Sequence, residues 1–158
     1  MGNNRATGKH YEEIAAKYLE QSGYVIQKRN YRSPWGEIDL IARKDELLVF
    51  VEVKYRHTGS FGEPGEAVSL QKQRKISRAA LWYYAGNGYE QSVPCRFDVI
   101  GVRGDDGVEH LENAFEFQME GTSFCRREIH EHKMEKSETA AYADQREGWC
   151  DLAGLSGF

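Results

Sequence analysis

Residues 36–56 read Gly36-Glu-Ile-Asp-Leu-Ile-Ala-Arg-Lys-Asp-Glu-Leu-Leu-Val-Phe-Val-Glu-Val-Lys-Tyr-Arg56, and this stretch decides the fold. Glu37 to Ala42 alternates in polarity, and Leu47 to Val53 is rich in β-formers with a charge inside it. Arg43 to Glu46 between them predicts a tight connection, hence a β-hairpin. A two- or four-residue loop sets Ala42 against Leu47, Ile41 against Leu48 and Asp39 against Phe50. Glu37, Asp39 and Ile41 then share a face with Leu48, Phe50, Glu52 and Lys54, because side chains alternate along a strand. Asp39 and Glu52 become diagonal neighbours about 7–8 Å apart at the backbone. An odd loop would reverse the faces.

Outward from the hairpin, Tyr11, Ile14, Ala15, Tyr18 and Leu19 repeat at helical spacing and predict a helix over about residues 7–22, stopped by Gly23. Tyr24 to Tyr31 reads as a short strand and Ser33-Pro-Trp-Gly36 as a turn. After a loop from Thr58 to Gly65, Ser69 is a good N-cap for a second helix that ends at Gly86-Asn-Gly88. Arg96 to Val102 is a further strand, and a turn at Gly104 to Gly107 leads into a short segment from Leu111 to Phe117. Residues 119–158 lose this patterning. They are expected to form a weakly structured acidic tail to one domain of residues 1–118, and the polar Arg126–Lys136 run lacks a wide apolar stripe.

The chain has 158 residues, of which 40% are hydrophobic and 29% charged, enough apolar material for a buried core. No run approaches the ~18 apolar residues of a membrane span, and the first residues lack the apolar stretch of a signal peptide. Three scattered cysteines fit a reducing compartment, so a cytoplasmic protein is expected. Net charge is −4, but residues 54–78 carry Lys54, Arg56, Lys72, Arg74, Lys75 and Arg78 against only Glu63 and Glu66. A local basic surface of this kind suits phosphate binding, and it is equally what a solvated helix face looks like.

Two charges at i and i+2 within an apolar strand are costly to desolvate unless paired or ligated. Asp39 and Glu52, if brought together, repel by about 4 kcal/mol at 4 Å and an effective dielectric of 20. A bound cation relieves that repulsion, and hard oxygen donors without Cys or His favour Mg²⁺ or Mn²⁺. Lys54 beside such a cation would orient water or neutralise charge developing on phosphorus. On the first helix Glu12 borders the apolar face and is the candidate third carboxylate. Glu13 points away and stands four residues before Lys17. The plain alternative is a surface salt bridge between Glu52 and Lys54, which contributes little.

Lys72, Lys75 and Arg78, at spacing three on the second helix, would form a phosphate-tracking ridge, with Arg56 beside it and Arg29 and Arg32 weaker additions. Asp98 reads as structural, and Glu37 either assists the cation or forms a salt bridge. Cys125, His130, His132 and Cys150 match no common zinc spacing. Trp82, Tyr83 and Tyr84 read as core rather than as a stacking platform.

In this order the residues resemble the restriction-endonuclease-like, PD-(D/E)XK nuclease superfamily. More closely, the chain looks like the YraN-like family of small bacterial proteins, related in fold to archaeal Holliday junction resolvases. The resemblance rests on Glu12-Glu-Ile-Ala-Ala-Lys-Tyr-Leu19, Gly23-Tyr24, Arg29-Asn-Tyr-Arg32, Gly36 to Ala42, Phe50 to Lys54 with Arg56, Phe61-Gly62, Glu66-Ala-Val68, Lys72, Arg96-Phe-Asp-Val99 and Asn113-Ala-Phe115. It covers about residues 5–118; Ile38 stands where the superfamily name has Pro. It implies a three-layer α/β/α core of order αβββαβ with a mixed central sheet. It also implies a metal-dependent endonuclease with Asp39, Glu52 and Lys54 at its centre, Glu12 contributing from the helix, and Mg²⁺ or Mn²⁺ on the carboxylates. The partner would be nucleic acid, with DNA and branched structures foremost, and a homodimer would suit a two-fold symmetric junction. Two alternatives are an inactive nucleic-acid-binding module of the same fold and a protein-interaction domain.

Overall fold

A computed structural model describes residues 4–56, 67–89, 92–104 and 107–118. The elements are α1 (Asn4–Gln21), β1 (Val25–Ser33), β2 (Gly36–Lys44), β3 (Leu47–Arg56), α2 (Leu70–Asn87), β4 (Cys95–Arg103) and β5 (Val108–Phe115). They follow the expected αβββαβ order with one strand added. The first helix begins a few residues earlier than its apolar periodicity suggests, and the segment after Gly107 is a full edge strand. The expected Thr58–Gly65 loop, the tail from residue 119 and the Cys125, His130, His132, Cys150 set lie outside the described residues.

One five-stranded sheet runs β1-β2-β3-β4-β5, antiparallel except for the β3–β4 pair. A parallel step needs a crossover, and α2 lies in it. On one face, Ala15, Ala16 and Leu19 of α1 pack on Leu40, Ala42, Val49, Val51, Ile100 and Val102. On the other, Ile76, Ala79, Ala80 and Tyr83 of α2 pack on Ile38, Ile41, Leu48, Phe50, Phe97 and Val99. The result is a three-layer α/β/α core with a mixed sheet. β3 sits at its centre and is buried continuously from Leu48 to Glu52, which explains why its sequence is an apolar run rather than an alternation.

α2 is capped at both ends as its sequence predicts. Ser69 accepts the N–H of Lys72, and Gly88 adopts a left-handed conformation at φ 67°. The Pro34–Trp35 turn is tied by Ser33, whose Oγ accepts the N–H groups of Trp35 and Gly36 and donates to the Gly36 carbonyl. Among the described residues, no helix is long and apolar enough to cross a membrane.

Asp98 of β4 is fully buried and is structural, as the sequence suggests. Arg96 donates to both of its carboxylate oxygens at 2.8 Å, His110 Nε2 lies 2.8 Å from Oδ2, and the N–H of Asn113 donates to Oδ1 at 3.0 Å. The last bond spans the β4–β5 irregularity between Phe97 and Val99, where Asn113 stands at φ 50°. Burial alone would raise the Asp98 pKa, but the hydrogen bonds with His110, Arg96 and Asn113 outweigh it and hold the carboxyl below its ordinary value. A depressed folded pKa contributes stability above the unfolded pKa and loses it as pH falls below about 4. Asp98→Asn should therefore cost roughly 1–3 kcal/mol at neutral pH, because Arg96 keeps Glu112 and Tyr24 but loses the carboxylate it shares with His110, and should flatten the acid limb of stability. Urea unfolding from pH 3 to 7 measures both effects; an unchanged acid limb would remove Asp98 from this role.

Candidate active site and its electrostatics

The β2–β3 ladder runs from Lys44↔Leu47 to Leu40↔Val51 and stops there. The turn is Asp45–Glu46, with Asp45 at φ 53°, so the register differs by two residues from the expected one. A shift of two keeps every side chain on its face. It changes the acids from diagonal neighbours to the next opposing positions, just past the last paired residues. Asp39 Oδ2 accepts the N–H of Val53 at 2.8 Å, so the carboxylate takes a bond that a carbonyl would otherwise supply.

β1 carries a matching irregularity. Asn30 sits at φ 49° between the pairs Arg29↔Leu40 and Tyr31↔Ile38. Residues two apart on a regular strand share a face, yet here they do not. Arg29 pairs with Glu13 and Glu20 of α1, whereas Tyr31 packs edge-on against Tyr83 of α2. Leu40 likewise belongs to the α1-side core and Ile38 to the α2-side core. Both strands roll over at Asn30 and Asp39, and Asn tolerates the left-handed backbone that this needs. Asn30 Nδ2 also donates to Glu12 Oε2 at 2.6 Å, so α1 is tied to the point where the sheet opens.

Glu52, 8% exposed, faces the α2 layer, where Lys72 Nζ lies 3.2 Å from its Oε2. That is a charge contact without hydrogen-bond geometry, and the buried oxygen has no hydrogen-bond donor. Burial pushes the Asp39 pKa up to about 7, and the Glu52 charge adds to it. The Val53 N–H and Lys72 pull it down, and the Glu12 charge pushes up more weakly. Asp39, Glu52, Lys72 and Glu12 therefore share one electrostatic neighbourhood.

Lys54, half-buried, follows Glu52 on the same strand face, as does Arg56. The expected ridge on α2 divides into different environments. Lys72 belongs to the acid pair, Lys75 is exposed beside the β1–β2 turn, and Arg78 Cζ lies 5.7 Å from the centre of the Trp35 ring. Arg32 is 81% exposed and 3.9 Å from Glu37, and Arg29 is engaged by α1. Between the turn and α2 lies a groove of about 550 Å³ lined by Arg32, Trp35, Gly36, Glu37, Lys72 and Lys75. Gly36 lets the turn approach closely, since a Cβ there would stand 3.2 Å from Lys75 Cβ. Asn30, the Glu52 contact of Lys72 and the position of Trp35 escaped the sequence reading; the Arg29-Asn-Tyr-Arg32 motif flagged the first without its reason.

Two acids with a buried, undonated oxygen form a hard-oxygen donor set suited to Mg²⁺ or Mn²⁺. Among the described residues no three His, Cys, Asp or Glu side chains stand together as a finished metal cage. Glu12 is instead hydrogen-bonded to Asn30. A carboxyl with a raised folded pKa binds its proton more tightly in the native state, so stability falls as pH rises from about 4 to about 7. Without metal, Asp39→Asn should be more stable than wild type at pH 7.5, and the difference should vanish near pH 4. Thermal melting of both proteins in chelator across that window checks it, and a pH-independent difference would refute the charged-pair account.

The family model of the uncharacterised protein family UPF0102 matches residues 11–102. A UPF0102 protein of Desulfosudis oleivorans is 48% identical over 117 residues, 73% of this chain and 94% of that protein. One from Syntrophotalea carbinolica is 50% identical, covering 69% and 90%, and one from Rhodococcus jostii 43% identical, covering 73% and 100%. A solved structure, Pyrococcus furiosus SfsA in complex with Ca²⁺, is distantly similar at TM-score 0.30 and 20% identity over 70% of this chain and 64% of that one. The YraN-like resemblance is thereby borne out, and the chain belongs to the uncharacterised protein family UPF0102.

Proposed function

We propose that this protein is a divalent-metal-dependent nuclease that hydrolyses phosphodiester bonds in nucleic acid, with DNA the first substrate to test. The observation that carries this reading is the meeting of Asp39 and Glu52 at the end of the β2–β3 ladder, where burial and mutual repulsion raise the Asp39 pKa to about 7. Desolvated like charges are costly in a folded protein and recur where their charge has a use.

Asp39 and Glu52 would hold Mg²⁺ or Mn²⁺, and Glu12 would join them on leaving Asn30. The metal would supply Lewis acidity and lower the pKa of a bound water. Asp39 keeps its orientation through the Val53 N–H. Lys54, from the face of Glu52, would steer the attacking water or neutralise charge developing on the phosphate oxygens. Lys72 offsets the Glu52 charge until a cation arrives, so loading the site would free its ammonium for the substrate. Arg56, Lys75, Arg78 and Arg32 would engage the sugar-phosphate backbone. A cytoplasmic location and a homodimer are compatible with this activity.

Calorimetric titration with Mn²⁺, together with cleavage assays on labelled single-stranded, duplex and branched DNA, tests the reading. The Asp39→Asn/Glu52→Gln variant should lose the Mn²⁺ heat, and Asp39→Asn or Lys54→Ala should each lower cleavage roughly 100-fold or more with the circular dichroism unchanged. Full cleavage by either single variant, or wild-type Mn²⁺ binding by the double variant, would overturn it. Salt-sensitive DNA binding with no metal-dependent product would assign the chain to the binding-module alternative.

A further inference from the structure

The groove beside the acid pair has a composition that the cleavage chemistry does not require. We propose that it binds one unpaired nucleotide of the substrate strand, with Arg32 and Lys75 on its phosphate and Trp35 against its base. This rests on the nucleic-acid reading above and narrows it to strands that present an unpaired base.

The groove adjoins the acids through Lys72, which lines its wall and stands 3.2 Å from Glu52 Oε2. Its cations come from two elements, Arg32 from β1 and Lys72 and Lys75 from α2, so they surround a ligand rather than track along one helix. Arg32 lies 3.9 Å from Glu37, beyond hydrogen-bond reach, and is largely exposed, so an anion can engage its guanidinium. The Trp35 backbone is fixed by its main-chain N–H, which donates to Ser33 Oγ at 3.2 Å, and the ring is steadied by Arg78, whose Cζ lies 5.7 Å from the ring centre. A preset aromatic loses little freedom when a base docks on it.

A volume of about 550 Å³ falls in the ~300–1,000 Å³ range of small-ligand clefts. Bases within a duplex offer their faces only to each other, whereas an unpaired base can stack on a side chain. Glu37 in the same wall argues further against a row of phosphates and suits an amine or hydroxyl donor from a nucleoside.

Binding is measured by fluorescence anisotropy in chelator, which separates it from cleavage, using an oligothymidylate of about 12 nucleotides and a blunt duplex of equal length. Wild type should bind the single strand roughly tenfold tighter than the duplex. Trp35→Leu should weaken single-strand binding roughly tenfold and leave duplex binding unchanged, while Trp35→Phe, which keeps a stacking ring, should stay within about threefold of wild type. Arg32→Ala, a change at an exposed side chain, should lower the salt slope of log K by roughly one.

Equal affinity for single strand and duplex, or a Trp35→Leu variant that binds both like wild type while Arg32→Ala keeps the full salt slope, overturns the proposal. If Mn²⁺-dependent cleavage persists in that case, the nuclease reading survives without the nucleotide groove. Trp35-dependent single-strand binding with no cleavage under any metal condition supports the groove and removes the nuclease reading.

Discussion

Two carboxylates that repel one another, Asp39 and Glu52, are held where the β2–β3 ladder ends, and the surrounding structure compensates for that contact. The Val53 N–H steadies one acid and Lys72 neutralises the other. Asn30 holds Glu12 through a 2.6 Å hydrogen bond. The desolvation comes from the core itself, because β3 is buried on both faces up to Glu52. A solvated version of the same pair would be unremarkable, since water screens exposed charges. Burial therefore turns two common residues into a site with a charge deficit that a cation can fill.

Two backbone irregularities make that burial compatible with reach. Without the roll at Asn30 and Asp39, Tyr31 and Ile38 would turn away from α2. The layer that covers Glu52 would then lose Tyr31's contact with Tyr83. The roll also lets α1 contribute. Glu12 lies on the other layer from Lys72, and both influence Asp39 because the sheet is open there. The candidate site thus gathers at a discontinuity, whereas the Asp98 network seals the β4–β5 pair with satisfied polar bonds.

Much of this was legible in the sequence because it depends on periodicity. The alternation of Leu48, Phe50, Glu52 and Lys54 sets one face of β3, and a register shift of two leaves it intact, but on β2 the roll at Asp39 brings Ile38 to the face of Ile41, where strict alternation sets them apart. What periodicity cannot report is backbone sign. Asn30 and Asp45 adopt positive φ, and neither the shortened turn nor the roll follows from residue type alone. Helical spacing groups Lys72 with Lys75 and Arg78 because it gives relative angles and not the direction of the sheet. Its tie to Glu52 depends on how α2 is docked. Asp98 was read as structural because a lone acid within an apolar strand needs a partner, and Arg96 stands two residues away.

β1, β2 and β3, the last two of which carry Asp39, Glu52 and Lys54, form an up-and-down meander joined by two-residue turns. The sheet's one parallel pairing, β3 with β4, waits on the α2 crossover. Local contacts close with little loss of chain entropy, while the crossover brings together residues far apart in sequence. The acid pair can consequently come together at the short-range stage of folding, while water still screens it, and its repulsion grows only as β4 and the helices bury it. The cost of the pair therefore falls on the late step of assembly, in which Leu48 to Val51 are covered from both helix layers.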